Sequence, residues 1–138
     1  MTPRDTGTGW VLEQMVLPAL KRGGYSYAKQ VKVGDRLGHG RHVVDAVAEK
    51  DGAKFLISVK WQQVSGTAEQ KVPFEVICLA EAMTSGEFAK AYLVLGGEGW
   101  KLRDFYTTGG LAWHLTAGDR VQILTLENFI AKANQRKL

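Results

Sequence analysis

The sequence is poor in cysteine: Cys78 stands alone, which excludes an internal disulfide framework. Its neighbours Val76, Ile77 and Leu79 are apolar, so the thiol reads as a buried structural group rather than a nucleophile. Long apolar runs are also missing. No segment approaches the roughly 18 apolar residues of a membrane span, and the stretch from Met1 to Gly7 lacks the apolar core of a secretory signal. A cytosolic protein is therefore expected. Nucleotide-binding glycine motifs are absent too: the stretch from Gly96 to Trp100 has neither the spacing of a dinucleotide fingerprint nor the Lys-Ser/Thr of a P-loop, and it reads as a turn. His39 and His42 lie close together, but no cysteine or third histidine accompanies them. That disfavours a transition-metal site and leaves a flexible loop near the substrate. No internal repeat or linker is apparent.

What is present fits one domain over residues 1–138, with 45% hydrophobic and 23% charged residues and a formal net charge of +4. The excess positive charge suits a polyanionic partner. Its distribution is more telling. From Leu20 to Arg41 the bases Lys21, Arg22, Lys29, Lys32, Arg36 and Arg41 face a single acid, Asp35, and are interleaved with Tyr25 and Tyr27. Such a stretch is either a phosphate-facing surface or an edge strand blunted by lysines.

Apolar residues at Leu12, Met15, Val16, Ala19 and Leu20 predict a first helix over about 9–21, bent by Pro18 and ended by Gly23-Gly24. Strands are expected at 25–33, 41–49 and 53–62, the last two joined by a tight turn at Asp51-Gly52. The near-continuous apolar run Phe55, Leu56, Ile57 and Val59 marks the third strand as central. A helix follows from about Thr67 to Met83, starting late because of Pro73, and then a strand at 89–95. A short helix at 100–105, a strand at 121–124 and a helix at 127–134 complete the order. This is an α/β arrangement on a mixed sheet.

If the hairpin turns on Asp51-Gly52 as a two-residue loop, Asp45 lies opposite Ser58. Alternation then puts Val43, Asp45 and Val47 on one face with Leu56, Ser58, Lys60 and Gln62. A carboxylate and a lysine thus converge in mid-sheet, where charges are costly unless they pair or hold a metal. A buried ion pair between Asp45 and Lys60 is the simpler alternative.

The sequence of Asp45, a hairpin, then Ser58-Val59-Lys60 resembles the catalytic hairpin of the PD-(D/E)XK nuclease superfamily, and the likeness extends over about Gly9 to Leu95. It implies a restriction-endonuclease-like αβββαβ core with a mixed central sheet flanked by helices, plus C-terminal additions. The implied activity is Mg²⁺-dependent hydrolysis of phosphodiester bonds, most naturally by a DNA endonuclease, with Mn²⁺ as substitute and RNA open as substrate. Many relatives are dimers, which makes a homodimer compatible. Ser58 departs from the pattern, since it stands where the second acid belongs. Some restriction endonucleases with this departure take the carboxylate from the next helix. Glu75 and Glu69 are the candidates here, with fourteen and eight residues separating them from Lys60; Glu75 is nearer the family spacing, whereas Glu69 shares a helical face with Val72 and Val76. Glu13 corresponds to an acid that relatives place in the first helix, so it is expected to face partly inward. Gln62 is similar to the polar residue found beside the catalytic lysine. The resemblance therefore implies metal ligation by Asp45, Glu75 or Glu69, Glu13 and the carbonyl of Val59. Lys60 would act on the attacking water, and Lys29, Lys32, Arg36, Arg41 and Gln62 would contact nucleic acid. Repulsion among the carboxylates should raise their pKa values in the metal-free site. A non-catalytic binding module on the same fold is the alternative that Ser58 suggests.

Overall fold

A computed structural model describes residues 7–35, 37 and 40–138. The chain runs α1 (Thr8–Val11), a π-helical turn (Leu12–Val16), α2 (Leu17–Arg22), β1 (Ser26–Asp35), β2 (Arg41–Lys50), β3 (Ala53–Trp61), α3 (Ala68–Met83), β4 (Lys90–Gly96), α4 (Arg103–Thr107), two 3₁₀ turns, β5 (Val121–Thr125) and α5 (Leu126–Asn134). The expected elements all form, with ends displaced by a few residues, and the five strands make one sheet in the order β1-β2-β3-β4-β5.

The first three strands form an antiparallel meander, and β4 and β5 add in parallel after crossovers. Asp51 and Gly52 have φ of 54° and 82°, the pair of positive values a two-residue type I′ turn requires. That turn sets the register Lys50↔Ala53 and outward to Ala46↔Ile57. Strand β3 is buried from Phe55 to Val59, as its apolar run predicts. Each large aliphatic side chain buried there contributes about 1.5–3 kcal/mol. One face of the sheet carries Ala46, Ile57, Val59 and Tyr92 against α1, α2 and α5; the other carries Leu56, Leu93 and Leu95 against α3.

Two prolines shape the helices. Pro18 sits in the first turn of α2, where its missing N–H costs least. The bend it was expected to cause takes the form of the π-turn before it, closed by the Leu17 N–H donating to Leu12 O. The late start expected of α3 does not occur: the helix begins at Ala68 and takes Pro73 into its interior, where the proline cannot donate to the carbonyl of Glu69. The Tyr106 hydroxyl donates to that carbonyl instead, at 3.2 Å. An orphan acceptor created by proline thereby ties α4 to α3.

At the other end of β3 the loop after β4 comes very close. Gln62 N–H donates to Gly96 O at 3.0 Å and Gly99 N–H to Gln62 O at 2.9 Å. A Cβ on Gly97 would lie 2.3 Å from Gln62 O, and Gly97 has φ of 89°, so only glycine suits this approach. The turn expected at Gly96 to Trp100 thus fastens the strand that carries Lys60. Among the described residues, no helix is long and apolar enough to cross a membrane.

Candidate active site

Asp45 sits where the sheet stops being regular. Val44 and Val47 both pack on the α3 side, while Ala46 and Ala48 face the other helices. Strict alternation would separate Val44 from Val47, so β2 turns about its axis between them. The ladder to β3 ends at Ala46↔Ile57, one rung before Asp45 would meet Ser58. The Asp45 carboxylate takes over there: Val59 N–H donates to Asp45 Oδ2 at 2.7 Å. On the other side, the β1 register Lys29↔Ala46 and Val31↔Val44 puts Gln30 at the same rung. Gln30 has φ of 51°, a left-handed backbone unusual for this residue type in mid-strand.

Alternation on β3 sends Ser58 and Lys60 to the side of Asp45, beneath α3. That helix presents Glu75, which is buried despite its charge. Its partner is His42, also buried, with His42 Nε2 and Glu75 Oε2 at 3.2 Å. The histidine is the second residue of β2. The expectation of a flexible loop at His42 is therefore corrected: alternation turns its ring inward toward α3. His39 lies outside the described residues.

The two carboxylates differ electrostatically. Burial pushes Asp45 above the ordinary aspartate range, and the charge of Glu75 adds to this, against the opposing Val59 N–H, Lys60 charge and Gln30 amide. Burial pushes Glu75 up as well, but the hydrogen bonds of His42 and Ser58 and the charges of His42 and Lys60 outweigh it, and its pKa is lowered. The expectation that both would be raised holds for Asp45 and fails for Glu75, because His42 compensates the second charge. With Glu75 ionised, His42 Nε2 carries the proton and donates.

Asp45, Ser58, Lys60, Lys71 and Glu75 line one cleft of about 330 Å³, to which Thr8 of α1 also contributes. Oxygen donors predominate: two carboxylates, the Ser58 hydroxyl and the backbone at Val59. This set fits a hard cation such as Mg²⁺, which keeps several waters and needs one or two carboxylates. Among the described residues, no group of three or more His, Cys, Asp or Glu side chains gathers around a common point.

Other candidates lie elsewhere. Glu13, expected to face partly inward, is exposed and pairs with Lys29 at 2.9 Å. The π-turn accounts for this, since it rotates the helix so that Val11, Leu12, Val16 and Leu20 make the buried face. Glu69 shares α3 with Glu75 but accepts from the Lys101 and Leu102 N–H groups at 2.7 and 3.0 Å, and so holds the approach to α4. Gln62 is buried past the end of β3, its amide nitrogen donating to Gly99 O at 2.9 Å. It pins the glycine loop and does not line the cleft. Lys29, Lys32 and Arg41 are exposed on β1 and the start of β2, with Lys32 3.8 Å from Asp35. Arg36 lies outside the described residues. Sequence reasoning missed His42 as the partner of Glu75, Gln30 beside Asp45, and Lys71. Only Lys71 left a signal, standing one helical turn before Glu75.

A solved protein of unknown function, AF1548, has a similar fold, with a TM-score of 0.52 and 15% sequence identity. The match covers 80% of this chain and 54% of that one, so this chain spans about half the length of its structural relative. No curated protein sequence matches the chain. The family model described as the PD-(D/E)XK nuclease superfamily domain matches residues 4–137. With a hairpin that brings Asp45 and Lys60 into one cleft and a sequence match over nearly its whole length, this chain belongs to the PD-(D/E)XK nuclease superfamily.

Proposed function

We propose that the chain is a metal-dependent endonuclease that hydrolyses phosphodiester bonds in DNA. The observation that carries this reading is the convergence of Asp45, Glu75 and Lys60 on one cleft. Glu75 supplies the acid missing at Ser58, and its burial beside His42 supports that role better than the position of Glu69, whose carboxylate is occupied by backbone N–H groups.

Asp45 and Glu75, with the Val59 carbonyl, would hold Mg²⁺ or Mn²⁺. When bound, the cation lowers the pKa of a water and offsets charge on the phosphate. The chain's own groups do the rest. The Val59 N–H and His42 each fix one carboxylate oxygen from behind, so the ligands are positioned before substrate arrives. The Lys60 ammonium orients the attacking water and stabilises the charge that develops on the phosphoryl oxygens. Lys71 adds positive charge at the mouth of the same cleft. Exposed Lys29 and Lys32 of the edge strand and Arg41 at the start of β2 supply phosphate contacts; Lys29 must exchange its contact with Glu13 to do so.

Purified protein should nick supercoiled plasmid DNA in Mg²⁺ or Mn²⁺ and not in chelator. Asp45→Ala and Lys60→Ala should abolish nicking while leaving DNA binding largely intact; full cleavage by Asp45→Ala would refute the assignment. Replacing Lys29 and Lys32 should flatten the slope of log affinity against log salt by about 0.9 for each phosphate no longer neutralised. Ser58 favours a second reading, a DNA-binding module without chemistry, which a wild-type protein that binds DNA but cleaves neither plasmid nor single strands in Mg²⁺ or Mn²⁺ would establish.

A further inference from the structure

A second cavity of about 360 Å³ adjoins the candidate cleft, with Lys60, Lys71 and Glu75 lining both. Its additional walls are Gln70 and Phe74 of α3. On this helix Val72, Val76 and Leu79 face the sheet, and Glu75 is buried over Ser58. Phe74 and Gln70, four residues apart, form the next stripe outward. Phe74 is 44% exposed and gives this cavity an apolar wall alongside Lys71 and Glu75.

We infer that this cavity is a nucleobase subsite, in which an unpaired base next to the scissile phosphate stacks on Phe74. The inference rests on the nuclease reading and deepens it by naming a substrate class. A scissile phosphate contacted by Lys60 carries its nucleoside with it, and the neighbouring cavity that also has Lys60 in its wall is the one lined by Phe74. Stacking on an aromatic ring is tolerant of base identity and contributes about 1–3 kcal/mol per base in proteins that bind single strands. The Gln70 amide offers both donor and acceptor groups to a base edge, and Lys71 faces the flanking phosphate. In a continuous duplex both faces of every base are covered by neighbours, so none can lie on Phe74 unless it leaves the stack. The geometry therefore selects single strands, flaps, bulges or frayed ends over uninterrupted duplex.

The test uses oligonucleotides carrying 2-aminopurine, once as a single strand and once fully paired, titrated in calcium with wild type, Phe74→Ala and Phe74→Tyr. The label in the single strand should change its emission on binding wild type and Phe74→Tyr. Phe74→Ala should bind that strand about tenfold more weakly, within the range of one missing stack, and bind the duplex as wild type does. Single-strand affinity of Phe74→Ala within twofold of wild type overturns the subsite, as does an equal loss on both substrates. Cleavage of the same single strand by wild type in Mg²⁺ is scored separately: cleavage with an unchanged Phe74→Ala affinity removes the subsite alone, whereas Phe74-dependent strand binding with no cleavage of that strand removes the nuclease reading alone.

Discussion

His42 Nε2 lies 3.2 Å from Glu75 Oε2, and both side chains are buried between β2 and α3. A carboxylate at this depth is costly unless a donor meets it, and here the donor comes from the strand that also carries Asp45. His42 thereby links the position of α3 to the hairpin that carries Asp45 and Lys60.

Removing that donor should cost both stability and metal affinity. His42→Ala leaves the Glu75 carboxylate buried without its main partner, at a cost of about 3 kcal/mol. On the proposed ligation by Glu75, Mn²⁺ affinity should fall about 10–100-fold, the usual effect of removing a group that orients a metal ligand from behind. Urea denaturation and titration calorimetry read the two effects. His42→Gln, which keeps a donor, should recover part of both, and an unchanged Mn²⁺ affinity in His42→Ala would show that Glu75 needs no orienting partner.

The opposite shifts of Asp45 and Glu75 give opposite pH dependences in metal-free protein. The Asp45 pKa is raised above 3.8, mainly by burial. As pH rises through the window above that value the unfolded chain releases its proton first, so the group lowers stability, and the loss persists at higher pH. Asp45→Asn should therefore be more stable than wild type near neutrality, with the advantage shrinking below the ordinary aspartate range. The Glu75 pKa is lowered from 4.5. Its contribution is present above that value and lost as pH falls through the lowered one, so Glu75→Gln should be the less stable protein near neutrality. Thermal melts from mildly acidic to neutral pH in chelator distinguish the two signs.

Gln30 holds a left-handed backbone at the rung of Asp45. A side chain with a Cβ is strained there and glycine is not. Gln30→Gly and Gln30→Ala both lose the amide contact to Asp45, so their difference isolates the backbone: the glycine variant should be about 0.5–1 kcal/mol the more stable, the strain relieved less the entropy glycine adds to the unfolded chain. Gln30→Ala keeps the strain and should be no more stable than wild type. Equal denaturation midpoints for the two variants would contradict this account.

The hydroxyl of Tyr106 serves the carbonyl that Pro73 leaves without a partner. Tyr106→Phe should cost about 1 kcal/mol. In a Pro73→Ala background the N–H restored at position 73 can reach that carbonyl, so the same change should cost measurably less. A double-mutant cycle by chemical denaturation measures the difference, and additive costs would dissociate the tyrosine from the proline.

Local chemistry made the hairpin legible. Asp51-Gly52 specifies a two-residue turn, the turn sets the register, and alternation then places Asp45 and Lys60 on the same face. The apolar run from Phe55 to Val59 marked the central strand for a similar reason: a strand covered on both sides needs no polar alternation. Element order and the mixed sheet followed from these patterns.

The remaining site residues depended on contacts between segments distant in sequence. Both Glu69 and Glu75 had acceptable positions on α3, and the choice between them came from what each meets: backbone N–H groups before α4 for Glu69, a buried histidine of β2 for Glu75. Glu13 was read on an ideal helix, and a π-turn ahead of Pro18 rotated it to solvent and to Lys29. Sequence periodicity thus determined which residues share a strand or a turn, because those relations repeat along one chain. Only tertiary structure decided which carboxylate reaches the hairpin, because the rotation of a helix over a sheet is set by the packing and hydrogen bonds of both partners together.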